Sequence, residues 1–322
     1  MRVALLLAVL GLTLGCGANR MPSSLPIAER HAVTPDGVRL YYRVAGEGPE
    51  TVIAPFALFY ESVLDGLAVG RRIVTYDPRG RGRSDSVSAD KVSLSHLLLD
   101  LETVRQAVGA ERIALIGWSG GGMETFVYAL RNPGRVTRLV QLAPVAPRFV
   151  PYGALMMADR EKRTDSTARA SLRRRIEAGE FRADPAAECR ATRAVSDPPL
   201  FADPARRPAT PDVCRFPNEY PSRLRGYFGA LFRSIDGFDW RDSLSGVTIP
   251  RLVIHGARDN TPVVGNEEWV AGQTNARLLV IDSAGHRPHY ERPTSTLTAI
   301  ATFLRGDWPA AARVVSSRRN SP

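Results

Sequence analysis

The residues of this chain best suited to chemistry are Gly117-Trp118-Ser119-Gly120-Gly121. The apolar, β-branched run Ile113-Ala114-Leu115-Ile116 stops at Gly117, and a helix-compatible stretch begins near Gly120 with Met123, Phe126, Val127 and Leu130 on one face. A serine on a sharp turn between strand and helix, with a glycine two positions to either side, has the form of a nucleophile elbow. The glycines answer a steric demand. The turn forces Ser119 into a strained backbone conformation, and its neighbours must lack side chains for strand and helix to approach closely. Ser119 Oγ is then presented at the carboxyl end of the strand and the N-terminus of the helix. The chemistry open to such a hydroxyl is attack on a carbonyl carbon, provided that a base takes its proton and a third group orients the base.

The chain has five histidines from which to draw the base. His255 closes the apolar run Leu252-Val253-Ile254 and reads as a packing residue at a strand end, while His31 and His96 precede the elements from which they would have to act. His286 lies in Ser283-Ala284-Gly285-His286, just after the strand-like Leu278-Leu279-Val280-Ile281, with His289 three residues on as its rival. A histidine on a loop at a strand's carboxyl end can reach the edge of the sheet where the elbow points, so His286 is the expected base. For the orienter, Ala257-Arg258-Asp259-Asn260-Thr261-Pro262 follows the strand ending at His255. On local grounds alone Asp259 reads as a turn or N-cap aspartate, which is common before a helix. With Ser119 and His286 at the same edge, it is the expected carboxylate.

Four segments together resemble the α/β-hydrolase superfamily, in the branch of esterases, prolyl-type aminopeptidases and C–C bond hydrolases. They are Gly117 to Gly121, the Asp259 loop, the Gly285-His286 loop, and Tyr76-Asp77-Pro78-Arg79-Gly80-Arg81-Gly82-Arg83-Ser84-Asp85, which is similar to the branch's D-x-R-G-x-G-x-S segment. The chain order Ser, Asp, His also matches. The resemblance implies a catalytic triad of Ser119, Asp259 and His286, no cofactor, and a structural role for Asp77 and Arg79 in tying their turn together. One departure stands out. Family members carry His-Gly after the third strand, leading into an oxyanion-hole amide, whereas here Thr51-Val52-Ile53-Ala54 runs into Pro55-Phe56-Ala57-Leu58. Backbone N–H groups form such a hole. The expected donors are therefore Gly120 and a residue of the Phe56 to Leu58 segment, with Leu58 preferred.

These residues need a scaffold. Strands are expected at 39–44, 51–54, 72–76, 113–117, 136–142, 251–255 and 277–281, with helices at 95–108, at 120–131, from near Pro262, and at 293–304. Alternating strands and helices predict a mostly parallel, doubly wound α/β sheet, with sites at the carboxyl ends of its strands. The alternation breaks over 144–245, which is rich in Pro and Arg, with helical pieces at 154–178 and 222–234. This segment is expected to form an inserted, mainly helical cap. Phe149, Tyr152, Met156, Met157, Tyr220, Tyr227, Phe228 and Phe232 are candidate pocket residues. Glu177, Glu180, Glu188 and Glu219 are of interest because prolyl-type aminopeptidases hold a substrate amine with cap carboxylates. The core is assigned to 31–143 and 246–306, and residues 307–322 to a disordered tail.

Arg2 followed by the apolar stretch 3–14 reads as an export signal, too short to span a bilayer well. Thr13-Leu14-Gly15-Cys16 resembles a bacterial lipobox, so residues 1–16 are expected to be a signal peptide ending in a lipidated Cys16, and 17–30 a tether. Cleavage after Ala18 to a soluble exported protein is the alternative. An oxidising compartment would permit a Cys189–Cys214 disulfide, and no metal-ligand spacing is visible. The net charge of +10 comes from 43 basic residues, all but two of them arginine and scattered along the chain. With no nucleic-acid module in sight, no nucleic-acid partner is expected. The expected activity is hydrolysis of a small ester or amide through an acyl-enzyme. The alternatives are a proline-type aminopeptidase and a ligand-binding or vestigial hydrolase.

Overall fold

The computed structural model describes residues 25–60 and 62–317. It contains one sheet of eight strands: β1 (Ile27–Val33), β2 (Arg39–Ala45), β3 (Glu50–Pro55), β4 (Arg71–Tyr76), β5 (Ile113–Trp118), β6 (Val136–Leu142), β7 (Arg251–Gly256) and β8 (Ala276–Ile281). Their order is β1-β2-β4-β3-β5-β6-β7-β8. The pairs β1–β2 and β2–β4 are antiparallel, and every later pair is parallel. β5 and β7 are buried at every position. A parallel strand covered on both faces needs apolar residues without alternation, which is why these segments stand out in the sequence as continuous hydrophobic runs.

The helices are α1 (Leu94–Ala107), α2 (Gly120–Arg131), α3 (Tyr152–Arg163), α4 (Ser166–Glu177), α5 (Pro185–Ser196), α6 (Pro221–Ser234), α7 (Val263–Glu267), α8 (Pro288–Glu291) and α9 (Pro293–Leu304). Leu98, Leu101 and Val104 of α1 and Met123, Phe126 and Val127 of α2 share a core with Trp269 on one face of the sheet. Ile300, Phe303 and Leu304 of α9 pack with Leu64 and Leu67 on the other. The sheet is thus wound on both faces.

Between β6 and β7 lie α3 to α6, with short 3₁₀ turns between α5 and α6 and after α6. The helical pattern over 154–178 is divided in two because Asp165 caps α4, its carboxylate accepting from the N–H groups of Thr167 and Ala168. α5 has no counterpart among the helices expected from the pattern. Pro185 opens it and Asp184 caps it by accepting from Ala187 N–H. Cys189 on α5 is disulfide-bonded to Cys214.

Two boundaries differ from the sequence reading. β1 occupies part of the expected tether and pairs with β2 from Ile27 to Val33. It is exposed at five of seven positions, so backbone pairing holds it and no hydrophobic alternation announces it. The expected disordered tail is anchored to the core at several residues, although most of its described positions are exposed. Arg313 bridges to Leu278 and pairs with Glu267, and the Trp308 ring lies 5.1 Å from that of Phe303 with the Arg277 guanidinium over it. The expected signal peptide, Cys16 and residues 17–24 of the tether lie outside the described residues.

Candidate active site

Ser119 links β5 to α2 with φ 55° and ψ −123°, a conformation that costs an L-residue on the order of 1–3 kcal/mol. Two glycines make the turn possible. A Cβ at Gly117 would lie 2.2 Å from the Gly121 carbonyl oxygen, and one at Gly122 would lie 2.8 Å from Pro144 Cβ. Gly121, which completes the motif, is under less pressure: its Cβ would meet Phe56 and Pro55 at 3.4 Å. The close approach of helix to neighbouring chain therefore falls one residue later than the pentapeptide suggests. Ser119 is partly exposed and Gly120 is exposed, so the elbow is reachable.

The structure brings Ser119, His286 and Asp259 together. His286 Nε2 lies 2.9 Å from Ser119 Oγ, and its Nδ1 lies 3.0 Å from both carboxylate oxygens of Asp259. Both His286 and Asp259 are buried. Burial alone would raise the Asp259 carboxyl, but the charge and hydrogen bond of the His286 imidazole, helped by His255 and the Thr261 N–H, hold it below the ordinary aspartate range. Asp259 Oδ1 accepts from Thr261 N–H at 2.9 Å, so it is also the turn aspartate that local sequence suggests. The two readings describe one residue.

The remaining histidines lie elsewhere. His289 is buried among Tyr60, Trp118 and Tyr290, and burial, with Arg287 and His286 nearby, holds it down to about 3. His255 is a buried strand-end residue hydrogen-bonded to Asn266 at 2.9 Å. His31 sits on edge strand β1 against Tyr41, and His96 sits in the first turn of α1 with its N–H bonded to Ser93.

Leu58 does not offer the amide expected of it. Its N–H donates to Asp77 Oδ1 at 2.7 Å, inside a fully buried site. Phe56, at φ 70° and ψ 54°, takes up the left-handed conformation that a glycine would occupy with ease, and a 3₁₀ turn starts at Ala57. This geometry places Ala57 N–H at the opening position of a turn, where no intrahelical acceptor exists, and moves Leu58 onto Asp77. Asp77 also accepts from Arg83 N–H, and Arg79 is clamped by Asp100 and Asp36. The D-x-R-G segment thus ties its own turn together and braces the Phe56–Leu58 loop as well.

Sequence reasoning missed the contacts that hold the histidine loop. Trp118 Nε1 donates to the His286 carbonyl at 2.7 Å, and His286 N–H donates to Leu200 O at 2.8 Å. Glu291 accepts from Gly285 N–H and from Ala202 N–H, both at 2.7 Å. Asn260, beside Asp259, donates to Pro199 O. Residues 197–202 of the insertion therefore lie directly on both triad loops. None of these partners has a motif of its own, because on the insertion side all three, Leu200 O, Ala202 N–H and Pro199 O, are backbone groups. Of the candidate pocket residues, Phe149, Met157 and Phe232 are exposed, Tyr227 packs on Arg81, and Tyr152 bonds to Glu268. The Trp118 ring lies 5.4 Å from that of His286, and the Phe59 ring lies 5.2 Å from Trp118. Among the described residues no cluster of His, Cys, Asp and Glu could hold a metal ion.

Comparison with known proteins agrees with this architecture. The alpha/beta hydrolase fold family matches residues 54–293, and the chain belongs to that family. It is 27% identical over 252 residues to the biotin biosynthesis bifunctional protein BioHC of Teredinibacter turnerae, covering 78% of this chain but 42% of that protein. It is 27% identical over 288 residues to a 2-hydroxy-6-oxononadienedioate/2-hydroxy-6-oxononatrienedioate hydrolase of Paraburkholderia xenovorans, covering 83% of this chain and 91% of the relative. In fold it is similar to the crystal structure of proline iminopeptidase from Mycobacterium smegmatis, with a TM-score of 0.61 at 21% identity over 86% of this chain and 98% of that one.

Proposed function

We propose that this protein is a serine hydrolase that cleaves a small ester or amide through a Ser119–His286–Asp259 triad. The observation that carries this reading is the continuous relay from Ser119 Oγ through His286 to Asp259, with contacts of 2.9 and 3.0 Å. His286 Nε2 takes the proton as Ser119 Oγ attacks the carbonyl carbon, and Asp259 stabilises the imidazolium that forms. The imidazolium then protonates the leaving group, and a water activated by the same histidine releases the acyl group. Gly120 N–H, at the first position of α2, and Ala57 N–H, at the first position of the facing turn, are the proposed oxyanion donors. Contact between a Gly121 Cβ and Pro55–Phe56 would be close, which supports the two turns sharing one site.

An ester is favoured over a peptide with a free amine. Glu219 is locked to Arg81 by two 2.8 Å hydrogen bonds and also accepts from Gly82 N–H. Glu177 and Glu180 pair with Arg173 and Arg175 on the exposed side of α4. Three of the four cap glutamates thus already face arginine, which weakens the aminopeptidase reading. An exported, lipid-anchored protein processed at Cys16 remains our proposal for its location, supported by the Cys189–Cys214 disulfide.

The test is covalent labelling by a fluorophosphonate probe, alongside hydrolysis of a p-nitrophenyl ester series and a proline p-nitroanilide. Wild-type protein is expected to be labelled and to turn over short or medium esters. Ser119→Ala is expected to lose labelling and about 10⁴-fold or more of the turnover while remaining folded. Equal labelling of the variant would refute the assignment, and a preference for the anilide would restore the aminopeptidase.

A further inference from the structure

Arg287 follows His286 directly and is 3% exposed. Its guanidinium lies over the rings of Trp118 at 5.4 Å and Phe201 at 5.3 Å. Its ion pair among the described residues is long, 3.5 Å from Nη2 to Asp197 Oδ2, and Nε is sealed from solvent without an acceptor. The same Asp197 oxygen already accepts from Arg193 Nη2 at 2.8 Å. Arg193, on α5, lies over the Phe59 ring at 5.8 Å, and Phe59 meets Trp118, which meets the His286 ring. Two guanidinium groups therefore share one carboxylate beside the aromatic wall of the triad. Glu291 is the other acid close by, and both its oxygens accept backbone N–H groups from Ala202 and Gly285.

A guanidinium has five donors, and burying one on a single long contact is unfavourable unless something completes it. This chain satisfies its structural arginines when it buries them at the same edge. Arg81 makes two 2.8 Å bonds to Glu219, and Arg79 is held by Asp100 and Asp36. Arg251 is also under-bonded, but it opens β7 at the amino end of the strand, under Phe126, away from the triad. Under-bonding at Arg287 is different because of where it falls: next to the base, against the aromatic wall, with a second arginine facing it from the insertion.

We propose that Arg287 and Arg193 form an anion subsite for a carboxylate carried by the substrate, so that the favoured substrates are esters with a second, ionised carboxyl group. The inference rests on the serine hydrolase reading and deepens it. An incoming carboxylate would supply the acceptors the Arg287 fork lacks, and charge-assisted hydrogen bonds of this type are the strong ones. The net charge of +10 adds a general attraction for anions at low salt.

The experiment compares kcat/KM for matched pairs: monomethyl adipate against methyl hexanoate, with the charge on the acyl side, and 4-acetoxybenzoate against 4-methylphenyl acetate, with the charge on the alcohol side. The wild type is expected to favour the anion by at least about tenfold in one pair, less so at high salt. That ratio is expected to fall toward one in Arg193→Gln and Arg287→Met and to be partly kept in Arg287→Lys. Using the ratio cancels any loss common to both substrates. A wild-type ratio near or below one in both pairs, or a ratio unmoved by the substitutions, would overturn the subsite. If Arg287→Met does not fold, Arg193→Gln and the salt dependence decide. If no ester is cleaved and Ser119 is not labelled, the hydrolase reading has failed by itself. Calorimetric titration of glutarate then judges the subsite: binding weakened by Arg193→Gln supports it, and no binding overturns it.

Discussion

Single residues at this site have two attachments each, one toward the chemistry and one toward the scaffold. Asp259 accepts from both His286 and the Thr261 amide. Leu58 is the instructive failure, because its N–H is committed to Asp77, and Ala57 is the donor we propose in its place. One residue inside α2 has no such compensation. Glu124 is 2% exposed, and its hydrogen bond is a 3.1 Å contact from Tyr76 Oη. Burial, partly offset by Tyr76 and reinforced by Asp100, pushes its carboxyl from 4.5 up to about 8. The folded protein then keeps a proton that the unfolded chain releases, so stability is greatest at the acid end of that interval. It falls as pH rises from about 4.5 to about 8 and levels off above, where both states are ionised. Glu124→Gln removes this dependence and leaves every other group in place. The difference in urea midpoint, variant minus wild type, is expected to grow between pH 5 and pH 9. A difference that stays constant over that range would mean that Glu124 is ionised in the folded protein as readily as in the unfolded chain.

At the scale of elements, the insertion is bound to the His286 and Asp259 loops through residues 197–202 and to the Phe56–Leu58 loop through the cluster around its disulfide. Cys189 and Cys214 pack in one buried cluster with Leu58 and Val213, with Phe56 and Phe59 against it. The bond closes a separation of 25 residues, for which chain entropy gives a contribution of about 3 kcal/mol. Cys189→Ser/Cys214→Ser is expected to lower the unfolding free energy by that order, read as a lower urea midpoint, and to reduce ester turnover through loosening of the Phe56–Leu58 loop. Equal midpoints with and without reductant would refute the stabilising role. The same contrast between strong and weak signals explains what could be read beforehand. Seven strands were legible because β2 to β8 carry apolar runs or lie beside turn residues, and α2 and α9 fall at the expected bounds. β1 was not, since its partners are backbone groups and its side chains are mostly exposed. The clustering of Ser119, Asp259 and His286 was legible because three loops, each unremarkable by itself, follow strands of one parallel sheet and so fall at one edge. The Glu291, Asn260 and Trp118 contacts that fix it were not, because each joins a side chain to a backbone group far away in sequence.

The whole molecule joins a basic surface, a disulfide and an apolar N-terminal stretch, and these bear on where it works. A bond between Cys189 and Cys214 persists in an oxidising compartment and is rare in the cytosol. With those two paired, Cys16 is the third and last cysteine of the chain. It comes two residues after the apolar stretch 3–14, in the Thr13-Leu14-Gly15-Cys16 segment that resembles a lipobox, and we propose that it is acylated there. No helix among the described residues is long and apolar enough to cross a membrane, and the anchor we propose is the lipid on Cys16. One acyl chain gives only marginal membrane binding, whereas two or more give stable anchoring. The fully processed protein is therefore expected to partition into the detergent-rich phase of Triton X-114 when the complete chain is expressed in a bacterial host, and Cys16→Ser to stay in the aqueous phase. A wild type found in the aqueous phase with its N-terminus at Asn19 would replace the anchor with free export after Ala18. An unprocessed N-terminus in both proteins, with the chains retained in the cytoplasm, would refute the export signal and leave the disulfide without its compartment, whereas an exported but unprocessed chain would be an uncleaved anchor.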